Sequence, residues 1–389
     1  MNNDIRSKIK ALLKRNRWLY LCYNYVMSLV VNFIKLFVTT DEKLILFVSF
    51  GGRRCTDSPR AIYDYMLKDS RFEGYKLVWG VVDTQSCPDI NNKVKIDTLK
   101  YYITSLKARS WITNVLVERG LSYSGKHTFY LYTGHGSPLK KCGVDENNKG
   151  HFKSASKGCF NAGLAQSEFE REIRGRLMGL PLNEVYLTGA PTNDILSNYN
   201  EEYRNSVRDS LGIKKNKRAI LYAPTFREYR NFGTFDMKDV DFDKWHNILG
   251  DDYVILYRAH PIAMYNAQNN KEWFIDVTSY ERIEPLMIAS DVLISDYSGL
   301  IPDYSIMEKP IYLWTYDYEE YTDARGLYFD IRKVLPSTPD EETLLSLIKT
   351  GFTEEQKDLV LKFKKEYATV CGSATTRAVD LIYNKIISM

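Results

Sequence analysis

The chain offers little to a metal or a redox centre. Its 389 residues hold five histidines and six cysteines, at positions 22, 55, 87, 142, 159 and 371, with no C-x-x-C pair and no cysteine–histidine spacing suited to zinc. The cysteines therefore read as free thiols in a reducing compartment. An excess of one charge is also missing: 53 Lys+Arg stand against 49 Asp+Glu, so the overall balance makes no case for nucleic acid as a partner. There is no low-complexity tract and no repeat, and 44% hydrophobic with 26% charged residues describes an ordinary folded protein. The 29 tyrosines are scattered instead of interleaved with a basic groove, which makes them packing residues and not a stacking platform. The length suits two domains of about 150 to 200 residues each.

The first 40 residues differ from the rest. Arg6, Lys8, Lys10, Lys14, Arg15 and Arg17 precede an apolar run from Trp18 to Val38, whose polar members are Asn24, Ser28, Asn32 and Lys35. Their spacing puts all four on one stripe of a helix. That pattern suits a peripheral or monotopic helix lying on the cytoplasmic face of the cell membrane, or one packed on its own domain. A spanning helix, with the basic cluster in the cytoplasm, and a fully buried helix are the alternatives. No small-x-small site ends the run as a cleaved signal peptide would require.

From residue 41 onward short apolar strands alternate with helical stretches, the pattern of an α/β protein with parallel sheets covered on both faces. Strands are expected at Leu44–Phe50, Lys76–Val82, Trp111–Val115, Thr128–Thr133 and Val185–Leu187. A second series follows at Ala219–Ala223, Tyr253–Ala259, Phe274–Val277, Asp291–Ser295 and Pro310–Trp314, and a closing helical region at 354–387. Two series imply two doubly wound, Rossmann-like domains facing across a cleft, 41–190 and 191–365, with the boundary between Thr188 and Lys217. A C-terminal helix, 366–389, is expected to pack back toward the first domain.

Ligands of open α/β sheets bind beyond the carboxyl ends of the strands. Four polar turns occupy such places. His135, between Gly134 and Gly136 and followed by Ser137 and Lys140, can take a proton from an attacking hydroxyl, while the glycines let a ligand approach the backbone; the alternative is a histidine that only closes a turn. Arg258 and His260 emerge from an apolar strand and can converge on one anion, unless Arg258 serves a structural salt bridge. Thr225 and Arg227 follow Pro224 and can hold phosphate oxygens. Asp296, Ser298 and Gly299 lie between a buried strand and the next helix, where unpaired N–H groups favour an anion. An acidic, aromatic loop from Tyr316 leads to Arg325 and can contact a ribose or a polyol. No second carboxylate clusters with Asp296 in a D-x-D pattern, so no metal and no cofactor is expected.

In order along the chain, Ser49-Phe50-Gly51-Gly52 with Asp57-Ser58-Pro59-Arg60, Gly134 to Lys140, Gly189 to Asp194, Tyr222 to Arg227, Arg258 to Pro261, Ser295 to Ser298, and Asp317 through Arg325-Gly326 to Asp330 resemble the CDP-glycerol glycerophosphotransferase family, which makes teichoic acids and some polyol-phosphate capsules. The resemblance implies a GT-B architecture and attack by a hydroxyl of a lipid-linked or glycan acceptor on the β-phosphorus of CDP-glycerol, releasing CMP. It implies His135 as the base and a CDP pyrophosphate site of His260, Arg258, Thr225 and the Asp296–Ser298 turn. The chain departs from the family pattern at Gly134, Ser137, Thr192 and Gly299, where the family commonly has Trp, Thr, Arg and Ser. Ribitol phosphate or another CDP-polyol donor, a nucleotide-sugar glycosyltransferase and a non-catalytic nucleotide-binding assembly protein are the rival readings; a homo-oligomer is left open.

Overall fold

The computed structural model describes residues 16–146, 160–227, 229–230, 240–259 and 270–389. Thirteen strands among the described residues form two sheets. The first contains β1 (Asp41–Val48), β2 (Lys76–Val81), β3 (Lys93–Lys95), β4 (Ala108–Thr113), β5 (Phe129–Tyr132), β6 (Ala162–Ala165) and β7 (Val185–Leu187), in the order β3-β2-β1-β4-β5-β6-β7. The second contains β8 (Arg218–Tyr222), β9 (Tyr253–Tyr257), β10 (Phe274–Asp276), β11 (Val292–Ser295), β12 (Ile311–Trp314) and β13 (Ser337–Thr338), in the order β10-β9-β8-β11-β12-β13. The pairings are parallel, among them Leu46 with Val78 and Trp111, and Ile220 with Val292. Leu44–Val48, Ala219–Tyr222, Tyr253–Tyr257, Val292–Ser295 and Ile311–Trp314 are buried along their whole length, as central strands covered on both faces must be. The α/β reading with two parallel sheets is borne out. The closing helical region is two helices, Glu354–Tyr367 and Ala374–Ile387, interrupted where Gly372 takes φ +82°.

By contact the chain groups into two compact units, Met1–Thr133 with Ser156–Gly163 and Ala378–Met389, and Gly134–Ala155 with Leu164–Arg377. In the first unit Leu46, Val48, Tyr101, Trp111 and Tyr130 pack with Val31 of the N-terminal helix. Its C-terminal segment is tied in by Arg109, which donates to the Ile386 carbonyl from Nε (3.1 Å) and Nη2 (2.8 Å), and by the Arg71–Asp380 ion pair at 2.8 Å. In the second unit the sheet separates two apolar layers. Leu221, Leu256, Leu293 and Leu313 face one, and Tyr222, Tyr257, Ile294 and Trp314 the other, which is the alternation a strand imposes.

The helix Arg17–Lys35 is amphipathic in the predicted register. Asn16 caps it, accepting from the Trp18 and Leu19 amides at 3.1 and 3.3 Å. Its polar stripe turns inward: the Ser122 amide donates to Ser28 Oγ at 2.8 Å, Asn32 Nδ2 donates to the Ser122 carbonyl at 2.9 Å, and Lys35 Nζ to Ser124 Oγ at 3.1 Å. The opposite side leaves Trp18, Tyr25, Phe33, Leu36 and Phe37 more than 60% exposed. No described helix is long and apolar enough to cross a membrane, which overturns the spanning alternative: the stripe that would face lipid is committed to hydrogen bonds with its own domain. The basic residues from Arg6 to Arg15 lie outside the described residues.

The free-thiol reading also needs correction. Cys55 and Cys87 are joined in a disulfide, with Cα atoms 6.2 Å apart. These residues follow β1 and β2, which are neighbours in the sheet, so the loops carrying them emerge side by side. Cys22 and Cys371 are free thiols, and Cys159 lies outside the described residues.

Candidate active site

Strand order reverses between β8 and β11, and the turns leaving these two strands are therefore adjacent at the place where open sheets bind ligands. From β8 the chain runs Ala223-Pro224-Thr225, and from β11 it runs Asp296-Tyr297-Ser298-Gly299 into a helix at Leu300–Ser305. The two turns are laced together. The Thr225 amide donates to both carboxylate oxygens of Asp296 (2.9 and 3.2 Å), and Ser295 Oγ donates to the Ala223 carbonyl at 2.7 Å. The Thr225 hydroxyl, on a residue 6% exposed, has no hydrogen-bond partner among the described residues. Leaving a buried hydroxyl unmatched costs about 1–3 kcal/mol, which a ligand oxygen at this turn would recover.

Arg227 is committed to carboxylates of its own chain. Its side chain is 3% exposed and is consumed by carboxylates: Nη2 meets Asp296 at 2.9 Å, and Nε and Nη2 grip the two oxygens of Asp317 at 2.8 and 2.9 Å. Tyr297 Oη donates to Asp317 at 3.1 Å, and the guanidinium lies over the Tyr321 and Tyr297 rings at 4.9 and 5.1 Å. Burial pulls the Arg227 pKa down, but Asp296 and Asp317 more than offset it, so the cation is retained. Burial first, and then the same two carboxylates, push the Tyr297 phenol up and keep it neutral. Asp296, which also accepts the Tyr297 amide at 2.6 Å, is likewise saturated. Arg227 and Asp296 thus brace the turns against each other. The anion-favouring helix start is weaker than expected too, because the helix is only six residues long.

The His135 turn meets this region. Gly134 and Gly136 flank exposed His135 with φ of +73° and +74°, left-handed conformations that glycine adopts without a steric cost. The Ser137 amide donates to the Gly299 carbonyl at 3.2 Å. A Cβ on Gly299 would stand 2.6 Å from the Ser137 carbonyl oxygen, so close approach of the two turns accounts for glycine there. Ser137 itself faces inward: its Oγ accepts from Gln166 Nε2 at 2.5 Å, and the same amide reaches Asp303 at 2.9 Å, where Asn193 Nδ2 also donates at 2.7 Å. Lys140 forms an isolated bridge with Leu327, and Arg325 pairs with Glu146 at 3.0 Å, so both lie where segments 139–141 and 325–328 run together. Arg258 leaves β9 with Nη1 donating to the Val277 and Tyr280 carbonyls at 3.2 and 2.8 Å. His260 lies outside the described residues.

Gln166, Asp303, Glu170 and Arg174 were not picked out from sequence, and Asn193 stood only inside the quoted Gly189–Asp194 motif with no role assigned. Gln166 directly follows β6, a strand of small residues with no apolar run to announce it, and Glu170 with Arg174 has the four-residue spacing of a surface helix pair. Of the other quoted motifs, Asp194 caps the last helix by accepting the Ala374 and Thr375 amides at 2.7 and 2.8 Å. At the corresponding reversal of the first sheet, Asn114 holds the Phe50 amide at 2.8 Å, Ser49 Oγ at 3.2 Å and Asp57 at 2.7 Å. Among the described residues no group of three His, Cys, Asp or Glu side chains could hold a metal ion.

Comparison with known proteins bears on the family of the whole chain. The chain is 30% identical over 341 residues to the teichoic acid glycerol-phosphate transferase of Staphylococcus aureus, covering 82% of this chain and 86% of that one. It is also 30% identical over 407 residues to the teichoic acid poly(glycerol phosphate) polymerase of Bacillus spizizenii, covering 98% and 99%. A solved structure of a variant of the wall teichoic acid polymerase TagF, soaked with CDPG, superposes with a TM-score of 0.80 at 26% identity over 90% of each chain. A family model described as CDP-Glycerol:Poly(glycerophosphate) glycerophosphotransferase matches residues 30–388, and the chain belongs to that family.

Proposed function

We propose that the protein is a transferase of teichoic acid synthesis that moves glycerol phosphate from CDP-glycerol to a hydroxyl of a lipid-linked or glycan acceptor. The family match over nearly the whole chain carries this reading, and the unmatched Thr225 hydroxyl beside the β8 and β11 turns supports a phosphate site there. The acceptor oxygen forms a bond to the β-phosphorus while the bond from that phosphorus to the bridging oxygen breaks. CMP leaves with the electron pair, and His135 takes the hydroxyl proton. Thr225 and Ser298 hold donor oxygens, Arg258 and His260 serve the departing cytidylate, and positioning with charge stabilisation supplies most of the rate. The fold is read as GT-B, with a donor domain built on the second sheet and an acceptor domain on the first.

The test is CMP release from CDP-glycerol and CDP-ribitol with a synthetic lipid-linked acceptor. Turnover with CDP-glycerol, lost in His135→Ala and His260→Ala, is the expected result; folded protein that releases no CMP from either donor would defeat the reading.

The outward apolar side of the helix Arg17–Lys35 fits a membrane surface on the cytoplasmic side, since its polar stripe is already matched by the 122–124 backbone and side chains. Flotation with anionic liposomes should be lost in a Tyr25→Asp/Phe33→Asp variant. Equal flotation of this variant and the parent chain would remove the assignment.

A further inference from the structure

Gly134 and Gly136 bring no side chains to hold the His135 turn. With glycine on both sides in left-handed conformation, its backbone has more freedom to lose than any other turn composition, yet a base must meet its hydroxyl within hydrogen-bond reach. What restrains it lies on the helix Glu168–Met178. Arg174, 7% exposed, donates from Nη1 to the Leu164 carbonyl and from Nη2 to the Gly136 carbonyl, the latter at 3.3 Å. A Cβ added to Gly134 would overlap the same guanidinium, so Arg174 fills the space that a side chain at 134 would take. Arg174 is in turn paired with Glu170, which is 1% exposed and accepts the Gln166 amide at 2.7 Å. Burial raises the Glu170 pKa while Arg174 opposes the shift.

We propose that Arg174, backed by Glu170, is a positioning residue for the transfer: it fixes the Gly134–Gly136 backbone and so presents His135 in one orientation. The proposal rests on the reading of His135 as the base. It suits glycine at 134, where the guanidinium occupies the place a Cβ would enter. An error of about 1 Å in placing a reacting group costs on the order of 100-fold in rate. Loss of Arg174 should therefore appear in kcat and leave donor binding, which uses the β8 and β11 turns, unchanged.

Arg174→Met alone strands a buried carboxylate and can fail to fold, so the decisive variant is Arg174→Gln with Glu170→Gln, which keeps the pocket filled and neutral. Full-length proteins are compared by circular dichroism and by CMP release from CDP-glycerol with the same lipid-linked acceptor. The double variant should lose about 10- to 100-fold in kcat, with the KM for CDP-glycerol within about twofold. Arg174→Lys should recover part of the loss, since it keeps the charge against Glu170 but not the two-pronged contact. A folded double variant with the parent kcat, or one whose loss lies wholly in KM, overturns the proposal while leaving His135 in place. Near-normal turnover by His135→Ala overturns the underlying base assignment and the positioning role together.

Discussion

Replacing Arg227 with methionine separates two roles that its residue type alone cannot. The guanidinium is 3% exposed and faces two carboxylates that are each 4% exposed. Methionine fills a similar volume but leaves Asp296 and Asp317 without their cation, and removing one partner of a buried pair costs about 3–5 kcal/mol. For a unit of roughly 240 residues, each kcal/mol shifts the melting transition by about 2–4 °C, so the expected drop is about 6–20 °C. It should be present without any ligand, because the pairing is internal. Thermal unfolding of ligand-free protein, followed by circular dichroism at neutral pH, measures it. Arg227→Lys should restore only part of the stability, since an ammonium cannot grip Asp317 with two parallel bonds while reaching Asp296. If Arg227→Met melts within about 2 °C of the parent while its KM for CDP-glycerol rises tenfold or more, the bracing role is refuted and a phosphate contact takes its place.

Thr225→Val should leave stability unchanged or slightly raised, because the lost hydroxyl has no partner among the described residues, and should raise the KM for CDP-glycerol by about 5- to 30-fold, the equivalent of one hydrogen bond of about 1–2 kcal/mol; an unchanged KM removes Thr225 from the donor site. Reducing Cys55–Cys87, which are 32 residues apart, should lower stability by about 4 kcal/mol in the loop-entropy picture, and a Cys55→Ser/Cys87→Ser protein that melts like the oxidised parent contradicts it. Lys309, whose Nζ donates to the Ile288 and Ser290 carbonyls at 2.9 and 2.7 Å, is pushed down to about 8 by burial and then by Arg204. A depressed lysine adds stability above its unfolded value near 10.5 and loses it as pH falls toward 8. Stability of the parent relative to Lys309→Met should therefore grow by up to about 3 kcal/mol between pH 8 and pH 10.5, and a flat difference across that range refutes the shift.

The central strands could be read directly, because β1, β8, β9, β11 and β12 are runs of branched and aromatic residues bounded by polar turns. Three short strands could not: β3 is Lys-Val-Lys, β6 is Ala-Gly-Leu-Ala, and β13 has two residues, none long enough to show a period. The turns of the site were legible for the same reason as the strands they follow. What stayed hidden was direction. A cation at 227 and a carboxylate at 296 are equally consistent with gripping a ligand or gripping each other, and only the adjacency of β8 and β11 decides it. Arg174 was hidden more deeply, since a Glu and an Arg four residues apart look like a solvated pair until the helix is seen to turn both inward.

The membership of residues 378–389 in the first unit has a consequence for biosynthesis. The ribosome delivers β1 to β5 early, but Arg109 and Arg71 receive Ile386 and Asp380 only after the whole second sheet has been translated. Until then a carbonyl acceptor and a carboxylate are missing from the surface they complete, and the nascent first half waits partly unsealed. Emergence of residues 378–389, rather than of the first sheet, is then the moment at which this unit can close.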